Sequence, residues 1–295
     1  MRAKNSLTYA VRLFSLENVE KVFTFFISDG IIQVEIFYLL AVALSGGLPT
    51  GTRRYDMILY YVRHGDPIYN PDSLTPLGHR QAEAVGRRFA VHGLDKIYSS
   101  PSVRARQTAM PTCEILKKDM VVLDWCCESL AWNDMTVEYE QGKLTWAFFH
   151  RPTRELFTSP EVRALGDKWY TYPAFENTRF EAGVKRVREE ADKFMLSLGY
   201  RHDVLRSGYI AEEPTDERVA LFAHQGFGLL FLSTILDIPY NDFSTRFDIG
   251  HTGVSVIEFS ASKGGFCIPR LLQHSNDSHL YKEGLGTRYQ NEIFI

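Results

Sequence analysis

The chain has 295 residues, with 33 lysines and arginines against 36 aspartates and glutamates, which gives a formal net charge of −3. Hydrophobic residues make up 45% and charged residues 23%, as in ordinary globular proteins. This composition excludes a disordered chain, a fibrous repeat and a strongly basic nucleic-acid-binding protein. Because the net charge is close to zero, an anionic substrate has to be attracted by a local cluster of cations.

The cysteines and the apolar segment near the N-terminus indicate the cellular compartment of the protein and whether it contacts a membrane. The four cysteines form neither a disulfide framework nor the C-x-x-C pairs of a zinc site, which favours a reducing, cytoplasmic setting. The most apolar stretch, 31–48, contains an uninterrupted apolar run of only nine residues. A membrane-spanning helix needs about 20. We therefore expect no membrane partner, and the lack of a basic run argues against nucleic acid.

A regular alternation of strands and helices begins at Met57. The continuous apolar run 57–62 predicts a strand buried on both faces of a sheet, and Thr75-Pro76 predicts the start of a helix that ends before Gly93. The order predicts a three-layer α/β/α sandwich with a mostly parallel central sheet. The further predicted elements are strands over 96–99, 120–125, 218–223, 254–259 and 268–272, and helices over 103–116 and 176–198. An apolar helix is predicted to follow His224-Gln225-Gly226 and to end at Leu236.

The chain is predicted to have three parts. Residues 1–56 form an N-terminal extension, which a start codon assigned upstream of the natural one would explain; 57–280 form the α/β domain, and 281–295 a C-terminal tail. Within the domain, region 129–175 scatters aromatic residues among charged and turn residues, which predicts an inserted lid. Its aromatic side chains either face apolar or planar parts of a substrate or pack in the core.

Two predicted strands end in a histidine. His64 follows the strand 57–62 in the sequence RHG, and His224 follows the strand 218–223 in the sequence HQG. In open parallel sheets, ligands bind beyond the carboxyl ends of the strands, so both histidines are expected to face one crevice. Either histidine alone would more often be a structural residue.

Several segments in order resemble the histidine phosphatase superfamily, in its phosphoglycerate-mutase-like branch. The first contains the family's R-H-G followed by an asparagine six residues after the histidine. The resemblance extends over about 57–280. The segments that carry it are 60–70 (YYVRHGDPIYN), 74–82 (LTPLGHRQA), 99–109 (SSPSVRARQTA), 223–226 (AHQG), 250–259 (GHTGVSVIEF) and 276–280 (NDSHL).

The resemblance implies a phosphatase of the histidine acid phosphatase type, a phosphoric monoester hydrolase that acts on a small phosphomonoester. His64 would be the nucleophile that forms a phosphohistidine intermediate, with Arg63, Arg104 and His224 around the phosphate oxygens. Asn70 would add a neutral hydrogen bond, and no metal or cofactor is implied. The chemistry is physically sound, because neutral imidazole is a nucleophile near pH 7 and arginine presents forked donors that match phosphate oxygens.

The leaving alkoxide needs a proton, and the resemblance assigns this role to a glutamate after the third strand. Glu128 occupies that position, although a carboxylate in a loop can also be merely solvated. Asp66 and Asp134 are competing candidates for the acid.

Two other functions remain open at this point. Mutases of the family carry H-G-N after the second-histidine strand and an E-R-H-Y-G-like stretch around the acid. This chain has His224-Gln225-Gly226 and Glu128-Ser129-Leu130 instead, which weakens the mutase interpretation. A non-catalytic member that binds a phosphorylated ligand is the other alternative, and the presence of all the expected catalytic residues disfavours it.

Overall fold

The structure is a computed structural model that describes residues 53–289 and 293–294. Most of the predicted N-terminal extension, residues 1–52, therefore lies outside the described residues. The first strand begins at Arg54, three residues before the predicted start of the domain at Met57. At the other end, a short helix over Ser278–Lys282 crosses the predicted boundary between the domain and the tail.

The strands form one large sheet and several small ones. Within the described residues they are β1 (Arg54–Arg63), β2 (Pro67–Tyr69), β3 (Asp72–Leu74), β4 (Lys96–Ser99), β5 (Met120–Val122), β6 (Thr136–Glu140), β7 (Lys143–Trp146), β8 (Tyr200–Asp203), β9 (Gly208–Ala211), β10 (Arg218–Ala223), β11 (Val254–Ser262), β12 (Phe266–Cys267), β13 (Arg270–Asn276), β14 (Arg288–Tyr289) and β15 (Ile293–Phe294).

The helices alternate with the strands of the large sheet. They are α1 (Pro76–Phe89), α2 (Val103–Leu116), α3 (Glu128–Met135), α4 (Arg151–Phe157), α5 (Pro160–Arg163), α6 (Phe180–Ser197), α7 (Gln225–Ile235), α8 (Tyr240–Ser244) and α9 (Ser278–Lys282), with short 3-10 helices over Asp124–Cys126, Gly166–Thr171 and Pro173–Phe175. Among these described helices, none is both long and apolar enough to cross a membrane.

The central sheet has six strands in the order β13-β11-β1-β10-β4-β5. Strand β11 is antiparallel to both of its neighbours, while β1, β10, β4 and β5 pair in parallel. The prediction of a mostly parallel sheet is confirmed. The central pair β1 and β10 is the one that matters for the site, because their carboxyl ends reach the same edge of the sheet.

Helices cover both faces of this sheet. Side chains of β1 alternate between two cores, with Leu59 and Tyr61 on the side of α6 and α7, where Phe231 packs. Val62 lies on the side of α1 and α2, where Phe89 packs. Burial on both faces explains why the run in β1 is continuously apolar. The fold is the predicted three-layer α/β/α sandwich.

Some elements differ from the prediction. The strand predicted over 120–125 ends at Val122 and gives way to a 3-10 turn, and the last strand lies at Arg270–Asn276 instead of 268–272. A small sheet of β12, β9 and β8 was not predicted. The inserted region 129–175 contains most of α3, the hairpin β6–β7, two short helices and two 3-10 helices.

A buried histidine joins three elements on the side of α6. The side chain of His202, in β8, is 2% exposed, and its Nδ1 and Nε2 lie 3.0 Å from Asp192 Oδ1 and 2.9 Å from Asp237 Oδ2. Burial opposes the charge, but the two adjacent carboxylates outweigh it and raise the pKa of His202 to about 9. The imidazolium therefore ties α6 and the end of α7 to β8.

This ion cluster predicts that stability depends on pH. Because the folded-state pKa of about 9 lies above the ordinary 6.5, the contribution of His202 is complete below pH 6.5 and disappears as pH rises through 9. The free energy of unfolding is expected to fall by up to roughly 3 kcal/mol over this pH range. Urea unfolding at pH 6.5 and 9.5 measures it, with His202→Gln as the matched variant. If the difference in the free energy of unfolding between wild type and His202→Gln is the same at both pH values, the prediction is contradicted.

Candidate active site

The two strand-end histidines lie side by side. Strands β1 and β10 pair so that Arg63 is opposite Ala223, and the backbone N–H of His64 donates to the carbonyl of Ala223 at 2.9 Å. The imidazole rings of His64 and His224 are 5.2 Å apart between centroids, and both side chains are buried. The register of two parallel strands thus brings together residues that are 160 positions apart in the sequence.

The backbone fixes the tautomer of His64. Its Nδ1 lies 2.7 Å from the carbonyl oxygen of Gly65, and since a carbonyl can only accept, Nδ1 carries the proton. The lone pair of the neutral ring is then on Nε2. Burial, followed by the charges of Arg63 and Arg104, lowers the pKa of His64 well below its ordinary value. His64 is therefore a neutral base with a nucleophilic Nε2.

Two arginines supply the cationic cluster that the net charge does not. The buried Arg63 donates from Nη1 to the carbonyl of Ile249 at 2.6 Å. Arg104, in the first turn of α2, donates from Nη1 to Asp72 Oδ1 at 2.7 Å. Neither buried Nε has a hydrogen-bond acceptor within the part of the chain that the structure describes. Each arginine thus keeps donors that can bind phosphate oxygens.

His224 is held from two sides by groups that the sequence interpretation did not assign. The Tyr61 hydroxyl donates to the carbonyl of His224 at 2.5 Å and accepts from its N–H at 3.1 Å. The ring Nε2 lies 2.7 Å from Ser100 Oγ and 2.9 Å from Ser102 Oγ. Burial and the nearby His64 and arginines lower the pKa of His224 well below its ordinary value. The serine-rich segment 99–102 was the available signal for this contact.

Glu128 is anchored to the start of α7. As the first residue of α3, it accepts the N–H of Gly226 at 3.0 Å and that of Phe227 at 2.9 Å, both in the first turn of α7. Burial raises the pKa of Glu128, while these two backbone hydrogen bonds and the charges of Arg104 and Arg63 offset part of the effect. A carboxyl group with a raised pKa can hold a proton for a leaving group.

The other two candidate acids have different partners. Asp66 accepts from the Thr75 hydroxyl at 2.7 Å beside the start of α1. Asp134 faces away from the cleft and is paired with Arg179 at 3.2 Å and Arg186 at 2.9 Å. Of the three carboxylates, Glu128 is the one that lines the cleft with His64.

Arg63, His64, Arg104 and Glu128 line one cleft of about 520 Å³, whereas the buried His224 is not among its lining residues. Asn70 does not line it: this residue is exposed in the turn between β2 and β3, while its neighbour Tyr69 reaches the cleft. The lining residues are Arg63, His64, Tyr69, Arg104, Glu128, Ser129, Trp132, Trp146, Phe149 and Gln225. Among the described residues, no group of three or more His, Cys, Asp or Glu side chains is arranged to hold a metal ion.

Comparison with known proteins identifies the family. Residues 59–267 match the histidine phosphatase superfamily (branch 1), which is more than half of the chain. The protein belongs to this superfamily. The predicted family is therefore confirmed.

A curated relative matches a short part of the chain. The "Putative phosphoserine phosphatase 2" of Hydrogenobacter thermophilus is 40% identical over 73 residues, which are 22% of this chain and 36% of that protein. The match thus spans about a third of that relative's length.

Two similar solved structures cover more of the chain. A phosphoserine phosphatase from Entamoeba histolytica in complex with 3-phosphoglyceric acid is 18% identical, covering 76% of this chain and 99% of that one at a TM-score of 0.47. A mycobacterial glucosyl-3-phosphoglycerate phosphatase is 19% identical, covering 76% and 99% at a TM-score of 0.46. The family assignment depends on the sequence match over 59–267 and not on these likenesses.

Proposed function

We propose that the protein is a phosphomonoesterase that transfers the phosphoryl group of a small substrate to His64 and then to water, without a metal. The observation that carries this proposal is the hydrogen bond between His64 Nδ1 and the carbonyl of Gly65, which directs a neutral Nε2 toward the cleft that Arg63 and Arg104 share.

Four free cysteines in the described chain support a cytoplasmic location.

The first half of the reaction uses four side chains. Nε2 of His64 forms a bond to phosphorus while the bond from phosphorus to the ester oxygen breaks. Arg63 and Arg104 stabilise the negative charge on the oxygens of the transferring group. Glu128 gives its proton to the departing oxygen, so that an alcohol and not an alkoxide leaves.

The second half reverses the role of Glu128. The carboxylate, now deprotonated, takes a proton from a water molecule that attacks the phosphorus of phospho-His64. The bond between phosphorus and Nε2 breaks, inorganic phosphate leaves, and Glu128 is again protonated. The resemblance also gives Asn70 a hydrogen bond to the phosphate; this role stays a proposal, because Asn70 is exposed and outside the cleft lining.

Turnover of p-nitrophenyl phosphate tests the proposed function. We expect hydrolysis that continues in excess chelator, because the arginines supply the positive charge that a metal ion would otherwise provide. Release of p-nitrophenol is followed with and without EDTA. Strict dependence on added magnesium would contradict the mechanism, and hydrolysis that requires a bisphosphorylated sugar acid would favour a mutase.

A further inference from the structure

The lining of the cleft has two parts of different chemistry. Arg63, Arg104 and His64 form the phosphate-binding part of the lining, and Trp132 in α3, Trp146 in β7 and Phe149 just after β7 form an aromatic part of it. The two arginines are the only lysines or arginines among the lining residues, all of which lie in the described chain. We call the two indoles and the phenyl ring the aromatic wall.

The aromatic wall is held in place before any substrate binds. The rings of Trp132 and Trp146 meet edge to face at 5.0 Å between centroids, and Trp146 stacks on the buried Phe148 at 5.3 Å. Trp146 also lies against the backbone of Gly226 in the first turn of α7, where a Cβ atom would come within 2.3 Å of the indole. A preformed apolar surface binds a planar group at little cost in ordering.

A leaving group that carries a carboxylate is disfavoured at the aromatic wall. Arg104 already shares its Nη1 with Asp72, and both arginines are needed for the phosphate. A carboxylate on the leaving group would face aromatic carbon and the Glu128 carboxyl group, with no third cation in the lining. Placing an unpaired carboxylate in such surroundings is unfavourable.

We infer that the substrate is a phosphomonoester of an uncharged alcohol that carries a planar ring, with its phosphate on Arg63 and Arg104 and its ring on the aromatic wall. Small phosphorylated acids such as 3-phosphoglycerate or phosphoserine would be poor substrates. This inference rests on the proposed function for turnover, but the binding preference can be measured without it.

The test compares two primary alkyl phosphates, so that the leaving oxygens are similar. We expect kcat/KM for 2-phenylethyl phosphate to exceed that for 3-phosphoglycerate by about tenfold or more, from burial of the phenyl ring. Higher kcat/KM for 3-phosphoglycerate, with p-nitrophenyl phosphate still hydrolysed, would overturn the inference and leave the proposed function intact.

Variants locate the preference on the wall. Trp132→Ala and Phe149→Ala should each lower kcat/KM for 2-phenylethyl phosphate about tenfold and change that for ethyl phosphate less than about twofold. Tyr139→Ala, on the β6–β7 hairpin but exposed and outside the lining, is the control and should change neither. If the Trp132→Ala and Phe149→Ala variants lower kcat/KM equally for both substrates, the aromatic wall does not recognise the phenyl ring.

Calorimetry with His64→Ala separates binding from chemistry. The variant should bind 2-phenylethyl phosphate at least about tenfold more tightly than 3-phosphoglycerate. If the wild type hydrolyses nothing but this preference is found, the proposed function fails and the ligand class stands. Equal or reversed affinities overturn the ligand class.

Discussion

His64→Asn is expected to lower kcat for p-nitrophenyl phosphate by about a thousandfold or more. The substitution removes Nε2, the atom that receives the phosphoryl group, and the remaining arginines can bind phosphate but cannot form the intermediate. Binding of inorganic phosphate should therefore change far less than kcat. Steady-state kinetics together with phosphate inhibition constants measure the two effects separately.

A matched histidine controls for this result. His79 lies exposed on α1, so His79→Asn should keep full activity. The melting temperatures of both variants show whether either has lost its fold. A folded His64→Asn variant that retains a tenth of the wild-type kcat would rule out His64 as the nucleophile.

Glu128→Gln is expected to act according to the leaving group. We expect kcat for an alkyl phosphate such as ethyl phosphate to fall about a hundredfold or more, and kcat for p-nitrophenyl phosphate less than about tenfold. An alkoxide needs the proton of Glu128, whereas p-nitrophenolate leaves without it. Glutamine can still accept one of the two N–H groups of α7, so the helix start should be preserved.

The competing acid provides the comparison for Glu128. Asp134 is buried between Arg179 and Arg186, so Asp134→Asn should lower the melting temperature without a difference between the two substrates. A leaving-group-dependent loss in Asp134→Asn, or equal losses on both substrates in Glu128→Gln, would contradict the assignment of the acid.

Elements with strong local signals could be predicted to the residue. Strand β10 has an apolar run between Arg218 and the His224 at its end, and α2 runs from Val103 to Leu116 as predicted. In α1, the Thr75 hydroxyl accepts the N–H of Gly78, which is the cap that Thr-Pro indicated. These features depend on neighbours in the sequence, so local patterns reveal them.

The small sheet of β8, β9 and β12 had no comparable signal. Its strands have only two to four residues, and β8 carries Arg201, His202 and Asp203 in sequence. Such a strand has neither the apolar run nor the alternation of a buried strand. In the small sheet β8 pairs with the nearby β9, and β9 pairs with the distant β12, a contact that no local pattern reveals.

The proximity of the two strand-end histidines was predictable from the sequence, but the contacts that support them were not. The strand-end positions and the resemblance identified His64 and His224, whereas the hydroxyls of Tyr61, Ser100 and Ser102 reach His224 only through the tertiary fold. The choice among the candidate acids likewise depended on which carboxylate faces the cleft.

The sequence also does not show which aromatic residues of the inserted region 129–175 line the cleft and which are buried in the core. Both interpretations of them apply in part, because Trp132, Trp146 and Phe149 line the cleft, while Trp169 and Phe175 are buried in the core. Their sequence surroundings are alike, with charged and turn residues between them. Only the packing of α3 and the β6–β7 hairpin against α7 separates the two groups.

Trapping the phosphoenzyme tests the central claim most directly. The enzyme is mixed with p-nitrophenyl phosphate, quenched in alkali within the first turnovers, and digested for tandem mass spectrometry, because phosphohistidine survives in base. We predict one added phosphoryl group on the His64 imidazole and none in His64→Asn. Continued turnover with no phosphorylated His64, or with the phosphoryl group on another residue, would contradict the mechanism.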